Sequence, residues 1–526
     1  MYPKLDEKKV VFITVPRMFR DYTGTRINAV TQVYPIQAYL WLSAWVKKLG
    51  FKTAVFDMGI LEGKSSWAKL VEFLLRERPR YIGLTVTTTL YYESKLVGAL
   101  AKYFLGPNVV IIHGGVHASA LPEESLTDSM CDIVVVDEGE LTLGEICQGK
   151  PLKEILGVVF REDAGKNTRL IMATGHEIVS RLEKGEAAYD VQISLVTETE
   201  HPPIIKNQPR PYMKTSELDS LPFPDIDLYD FDKYHNPRII ARKHPLMIYE
   251  TSRDCPFTCN FCSSKGKYRV ISSGRVIETM KYFKSRGIKE IRITDNQFLA
   301  NANRGKEIMR EMVMANLGLA GNFGNGVRAD RCDAEFIDLA KRAGFYQVGV
   351  GFEAGDQESL DSINKKLDLE ASFRCAKLIK KAGMELVGFF MIGTPGDTKK
   401  TMQKTIDLAK KIMPDLAKVT ICIPFPDTRL FALYNNAGLI TSRKWDDYNI
   451  HKSAGVFRHP NPDLTQEVLT EYYEKFYKEF YLNPRYLLWA GMKSVRDGSI
   501  FRKAYYGAKT FFPKLISGDP TKNVGR

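Results

Sequence analysis

Residues 250–264 read ETSRDCPFTCNFCSS and set Cys255, Cys259 and Cys262 in a CxxxCxxC array directly after a short apolar run near 247–252. Three thiolates on one loop can ligate three irons of a four-iron cubane and leave the fourth iron open to a bidentate small molecule, which a fourth cysteine would block. A structural zinc is the competing reading, but it needs a fourth ligand. No His or Cys lies within thirty residues downstream of Cys262. A chance group of core cysteines is the other alternative, and Arg253, Asp254, Asn260 and Lys265 make the loop too polar for a buried face.

The run before the cysteines opens a series of strand-like segments near 247–252, 289–294, 322–327, 346–351, 385–392 and 416–423, separated by helical patterns. Val276, Ile277, Met280 and Phe283 make one helical stripe and Met402, Ile406, Ala409 and Ile412 another, while Asp333 is placed to cap the helix through Ala343. Six such βα units fit a partial (β/α)6 TIM-type barrel, and the cysteines sit at the end of its first strand, where the functional loops of such barrels lie.

Upstream, VVFITV, KTAVFD and runs near 81–85, 109–113 and 133–136 alternate with helical patterns, which predicts an α/β, Rossmann-like, doubly wound parallel sheet over residues 8–150. Residues 151–243, with ILGVVFRED and the turn-rich SELDSLPFPDIDLYDFDKY, read as a linker with short strands. The barrel is expected over 244–430 and a mainly helical, basic C-terminal domain over 431–526. Eight cysteines in 526 residues are too few for a disulfide scaffold, and Cys131, Cys147, Cys332, Cys375 and Cys422 are scattered through helices and strands. With no signal-like or membrane-spanning run, a cytoplasmic protein is expected. The net charge is +13, and residues 484–526 hold nine Lys or Arg against Asp497 and Asp519. Such a tail, with Arg485, Lys493, Arg496, Arg502, Lys503, Lys509 and Lys514 among aromatic residues, can lie on an anionic membrane or form a solvated basic face. No RNA-binding module follows the barrel, so nucleic acid is not expected as a partner.

The stretch SRDCPFTCNFCSS resembles the radical S-adenosylmethionine superfamily, and in particular its subgroup with an N-terminal cobalamin-binding domain. ITDNQFLAN, NGVRAD, VGVGFEAGDQESL and FFMIGTPGDT follow in the order of that subgroup, and HGGVHAS and DEGE resemble its cobalamin module. The resemblance implies a [4Fe-4S] cluster on Cys255, Cys259 and Cys262, with S-adenosylmethionine contacted by Phe261, Asp295, Asn296, Arg328, Glu353 and the turn at Gly393. This sequence lacks the GGE tripeptide of the family at the second strand.

The resemblance also implies cobalamin near Gly114, Gly115, Glu138 and Gly139. None of the eight histidines has an aspartate two residues before it, so DxHxxG is missing; either cobalamin binds with no histidine ligating cobalt from below, or the domain has lost it and only shapes the substrate site. The implied activity is reductive cleavage of S-adenosylmethionine to a 5′-deoxyadenosyl radical and cobalamin-dependent methylation of an unactivated carbon of a small-molecule or lipid-like substrate. The implied reductant is flavodoxin or ferredoxin. Radical cyclisation, oxidation or ring rearrangement, and a non-catalytic iron-sulfur or cobalamin-binding protein, are the alternatives.

Overall fold

The computed structural model describes residues 2–15, 34–61, 66–162, 164, 170–171, 174–191, 195–196, 203–237, 240–451 and 455–496. Its first sheet is built from β1 (Asp6–Thr14), β2 (Lys52–Asp57), β3 (Pro79–Thr85), β4 (Val110–Gly114) and β5 (Ile133–Val135), parallel and in the order β2-β1-β3-β4-β5. The crossover from β1 to β2 runs opposite to those that follow. Right-handed connection therefore puts helix Gln37–Lys48 on one face and helices Ser66–Glu77 and Tyr91–Leu105 on the other. The order reverses between β1 and β3, and the crevice outside their carboxyl ends is where such sheets take ligands.

The segment expected as a linker does more than connect. It adds β6 (Val158–Arg161) and, after the short hairpin of β7 (Leu170–Ile171) and β8 (Leu195–Val196), β9 (Ile204–Lys206). Both β6 and β9 join antiparallel beyond β5 and extend the first sheet to seven strands. Farther along, the Tyr234 hydroxyl donates to buried Asp57 at 2.6 Å, tying the end of this segment to the mouth of β2.

The second sheet takes β10 (Leu246–Tyr249), then, after the small hairpin of β11 (Ser252–Arg253) and β12 (Arg269–Val270), β13 (Glu290–Ile293), β14 (Ala320–Val327), β15 (Phe345–Glu353), β16 (Glu385–Ile392) and β17 (Leu416–Ile421). The six long strands are parallel and in sequence order, β10-β13-β14-β15-β16-β17, which is the open barrel expected from the sequence. Its outer face is aromatic: Tyr249 meets Phe283, Phe323 meets Phe336, and Phe390 meets Phe476, each with ring centroids 5.3 Å apart. Alternation along each strand then turns Arg292, Asn322, Gln347, Phe389 and Lys418 inward.

The region after residue 430 is less separate than a domain of its own. Helix Gln466–Tyr481 lies directly on the last strand, where the Tyr481 hydroxyl bonds the backbone of Ala417 and the Tyr477 hydroxyl that of Val419. Helix Pro484–Arg496 continues from it, with Tyr486 donating to the Asp415 carbonyl at 3.0 Å and Lys493 ion-paired to the Asp415 carboxylate. The basic residues Arg502, Lys503, Lys509 and Lys514 lie outside the described residues.

Candidate functional site

The loop between β11 and β12 carries all three cysteines of the array, and that two-stranded hairpin closes its base. Asp254 organises the interior of the loop. Its backbone is left-handed (φ +62°), and its carboxylate accepts from Cys255 N at 2.7 Å, Ser264 Oγ at 2.6 Å, Lys265 N at 3.2 Å and Lys267 N at 2.7 Å. One charged acceptor thus holds both ends of the cysteine stretch. The middle is tied to the barrel by Asn260, whose N–H donates to the Ile363 carbonyl at 2.9 Å, and by Asn364, which donates to the Thr258 carbonyl at 2.7 Å.

Cys255, Cys259 and Cys262 are free thiols and half-buried, whereas Cys131, Cys147, Cys332, Cys375 and Cys422 are buried. Burial raises all three thiols of the loop above the ordinary range, while the Lys365 ammonium pulls Cys259 and Cys262 the other way. Among the described residues no three His, Cys, Asp or Glu side chains converge closely enough to share one ion. Three half-buried thiols on one loop fit a cluster that takes each sulfur on a different iron.

The residues expected around the nucleoside cofactor fall into two groups. Asp295 is fully buried and already accepts from Thr251 N at 2.6 Å, Thr251 Oγ1 at 2.7 Å and Ser252 Oγ at 2.5 Å, so it anchors the strand end that launches the cysteine loop. Arg328 donates to the Lys365 carbonyl at 2.8 Å, the Lys366 carbonyl at 2.7 Å and Asp330, and its guanidinium stacks 4.0 Å from the Phe257 ring centroid. Asn296 is exposed and Phe261 half-buried.

Glu353 ends β15 in a left-handed conformation (φ +60°) and accepts from Lys365 at 2.7 Å. Burial depresses the Lys365 amine, but the charges of Glu353 and Cys259 outweigh it and leave the amine raised. Sequence reasoning passed over Lys365; a lysine in INKKLD carries no signal until the fold sets it beside the cysteines. Gly393 has φ +72°, and a Cβ there would stand 2.8 Å from Leu469 of helix Gln466–Tyr481.

On the first domain, Gly115 (φ +90°) is required by packing, since a Cβ would meet the Val86 carbonyl at 2.9 Å, whereas at Gly139 a Cβ would press on the Leu42 side chain at 3.2 Å. Gly114 has nothing closer than 3.8 Å, and beside it Val116 is half exposed. Open backbone next to an exposed apolar side chain at the strand ends fits a broad ligand with an apolar face, as cobalamin has. His113 and His117 are fully buried, with imidazoles pushed down to about 3 and about 4 mainly by desolvation.

Glu138 was expected at cobalamin and is engaged elsewhere. Arg253, two residues before Cys255, pairs with Glu138 at 3.1 Å and with Glu140. Arg269 donates to Glu138 at 2.6 Å, Met213 N at 2.9 Å, and Lys265 binds Asp137 at 2.8 Å. Burial raises the Glu138 carboxyl, but Arg253, the Met213 amide and Arg269 outweigh it and hold the group below its ordinary range. DEGE is therefore a clasp that presses the carboxyl end of the first sheet onto the cysteine loop of the second.

Residues 26–147 match the B12 binding domain and residues 249–409 the radical SAM superfamily. The chain is 29% identical over 448 residues to an uncharacterised methyltransferase of Pyrococcus horikoshii, covering 82% of this chain and 86% of that one. It is 24% identical over 402 residues to an anaerobic magnesium-protoporphyrin IX monomethyl ester cyclase of Rubrivivax gelatinosus, covering 74% of this chain and 66% of the cyclase. Among solved structures, the radical S-adenosylmethionine methyltransferase TsrM of Kitasatospora setae, with cobalamin and a [4Fe-4S] cluster bound, superposes with a TM-score of 0.62 at 16% identity, over 91% of this chain and 89% of that one.

Two outcomes are expected from this geometry. Reconstituted protein carries four irons, and the triple change of Cys255, Cys259 and Cys262 to Ala abolishes the cluster absorbance while changing the other five cysteines leaves it; full absorbance in the triple variant would refute the assignment. Arg253→Met leaves buried Glu140 without its cation and takes one of two arginines from Glu138, and it destabilises the protein by about 3 kcal/mol. Combining it with Glu140→Gln recovers much of that loss in denaturant unfolding, and a loss that merely adds across the two changes contradicts the clasp.

Proposed function

Because this chain belongs to the radical S-adenosylmethionine superfamily and carries a B12-binding domain, we propose that it is a cobalamin-dependent methyltransferase acting on an unactivated carbon of a small or lipid-like molecule. The observation that carries this reading is the Arg253 clasp to Glu138 and Glu140, which holds the strand ends of the two domains against each other. When bound, the cluster supplies the electron for reductive cleavage of S-adenosylmethionine, and cobalamin supplies the carrier for a methyl group.

The chain's own part is placement. Cys255, Cys259 and Cys262 would hold the cluster, with Asp254 fixing their loop. Phe261, Asn296, Glu353 and the turn at Gly393 would line the nucleoside, while Asp295 and Arg328 act through the loops they tie down. Gly114 and Val116 would meet cobalamin, and the burial of His113 and His117 supports a cobalt without a protein histidine beneath it. A flavodoxin or ferredoxin would deliver the electron.

The likeness to a cyclase supports a second reading, ring formation without methyl transfer. S-adenosylmethionine labelled with deuterium in its methyl group separates the two. Methyl transfer puts label into the product and forms S-adenosylhomocysteine beside 5′-deoxyadenosine; 5′-deoxyadenosine with an unlabelled product would overturn the methyltransferase reading.

No helix among the described residues is long and apolar enough to cross a membrane. Helix Pro484–Arg496 nevertheless exposes Leu487, Leu488, Met492 and Val495, which supports peripheral contact with an anionic bilayer, where a lipid-like substrate would be met. The protein is expected to float with anionic vesicles at low salt and to be released at high salt, and absence from every vesicle fraction would overturn membrane contact.

A further inference from the structure

The inner face of the barrel holds two cations that pair with no anion among the described residues. Along β17 the side chains alternate, Ala417, Val419 and Ile421 buried beneath helix Gln466–Tyr481 and Leu416, Lys418 and Thr420 on the opposite, inward side. Lys418 lies level with Phe389 and, through it, with Gly351. Its side chain lies deep within the protein and still keeps some accessible surface. Among the described residues it has neither a hydrogen bond nor an ion pair.

Arg292 enters the same space from β13. It donates to Asn322 Oδ1 at 2.8 Å and more loosely to the Gly324 carbonyl at 3.4 Å, and it makes no ion pair among the described residues. The strand beneath it is shaped for it, because a Cβ at Gly324 would collide with the guanidinium. Burial and the nearby Arg292 charge push the Lys418 amine down to about 8. His451, pushed down to about 4 by burial and by Lys418, adds a neutral imidazole to this wall.

Glu250 directly follows β10. Its charged neighbours are Asp295, Arg253 and Glu140 rather than Lys418 or Arg292, and burial raises its carboxyl to about 7. Glu290 and Glu385 are inward-side carboxylates too, but Glu290 accepts from Asn322, Tyr346 and the amides of Arg242 and Lys243, and Glu385 pairs with Arg242 and Gln347. Two enclosed cations with no paired anion among the described residues are costly, and an anion that enters restores the balance.

We propose that Lys418 and Arg292 form an acid-group subsite inside the barrel, binding a carboxylate or a phosphoryl group of the substrate and so fixing which end of that molecule lies deep in the barrel. This rests on the reading of the barrel as a radical enzyme's substrate chamber, and it narrows the substrate class to molecules bearing an anionic group. A guanidinium fork beside a flexible ammonium suits either oxyanion.

The test uses the full-length reconstituted protein and three probes: acetate, inorganic phosphate and, as a neutral control, acetamide. Carbon and phosphorus NMR linewidths report binding of each. Acetate or phosphate is expected to bind and acetamide not to, and whichever oxyanion binds more tightly identifies the group. Lys418→Met should weaken that binding at least ten-fold and Lys418→Arg should restore most of it, with circular dichroism and cluster absorbance confirming that both variants are folded and loaded. Equal binding by wild type and Lys418→Met, or no oxyanion binding by wild type, overturns the subsite. Formation of 5′-deoxyadenosine by the wild-type protein is measured in parallel: if it forms while oxyanions fail to bind, the subsite alone is wrong, and if oxyanions bind while none forms, the enzymatic reading is wrong and the subsite stands.

Discussion

The salt bridge from Arg253 to Glu138 and Glu140 is the contact on which the arrangement of the site depends. The barrel and the first sheet each carry a loop cluster at the carboxyl ends of parallel strands, and each cluster by itself would face solvent. Arg253 is enclosed, and its guanidinium is held more firmly charged than usual because the two glutamates outweigh its desolvation. Since it precedes Cys255 by only two residues, fixing its guanidinium fixes the origin of the cysteine loop. Lys265 and Arg269 repeat the attachment on the far side of that loop, to Asp137 and Glu138. The loop is thus held at both ends by the other domain.

How much of this was legible in the sequence follows from the range of each interaction. The cysteine array depends on spacing within eight residues, and the barrel strands on short apolar runs, so both could be read directly. β6 is legible as the strand-like ILGVVFRED, but its pairing onto the first sheet is not, and β9, an edge strand of three residues, leaves little periodicity to detect. Glu138 is expected at a ligand because DEGE follows a strand end, and its partners Met213, Arg253 and Arg269 lie 75 or more residues away. Asp254 and Lys365 are overlooked for a different reason: their partners are near in the chain, at Cys255 to Lys267 and at Glu353, but the turn that collects four donors on one carboxylate, or brings an amine to Glu353, has no periodicity to read.

The barrel wall shows the same division between pattern and context. Outward residues are aromatic or branched and pack on helices, as the alternation implies, while the inward face mixes Arg292, Asn322, Gln347 and Lys418 with glycines at 324, 349 and 351. Glycine in a strand interior normally weakens it. Here Gly324 leaves room for Arg292, and Gly349 for Phe389, whose ring would stand 2.9 Å from an added Cβ. This polar inner face contrasts with the filled apolar layers that stabilise a closed barrel.

The central claim is that the cysteine loop and the strand ends of the B12-binding domain form one site. Pulsed electron paramagnetic resonance on protein reconstituted with iron, sulfide and cobalamin, with the cluster reduced and cobalt in its paramagnetic divalent state, measures the magnetic coupling between the two centres. The account predicts a resolved dipolar interaction within each molecule that persists on dilution. Two full-strength signals that relax independently, as in separate proteins, would contradict it.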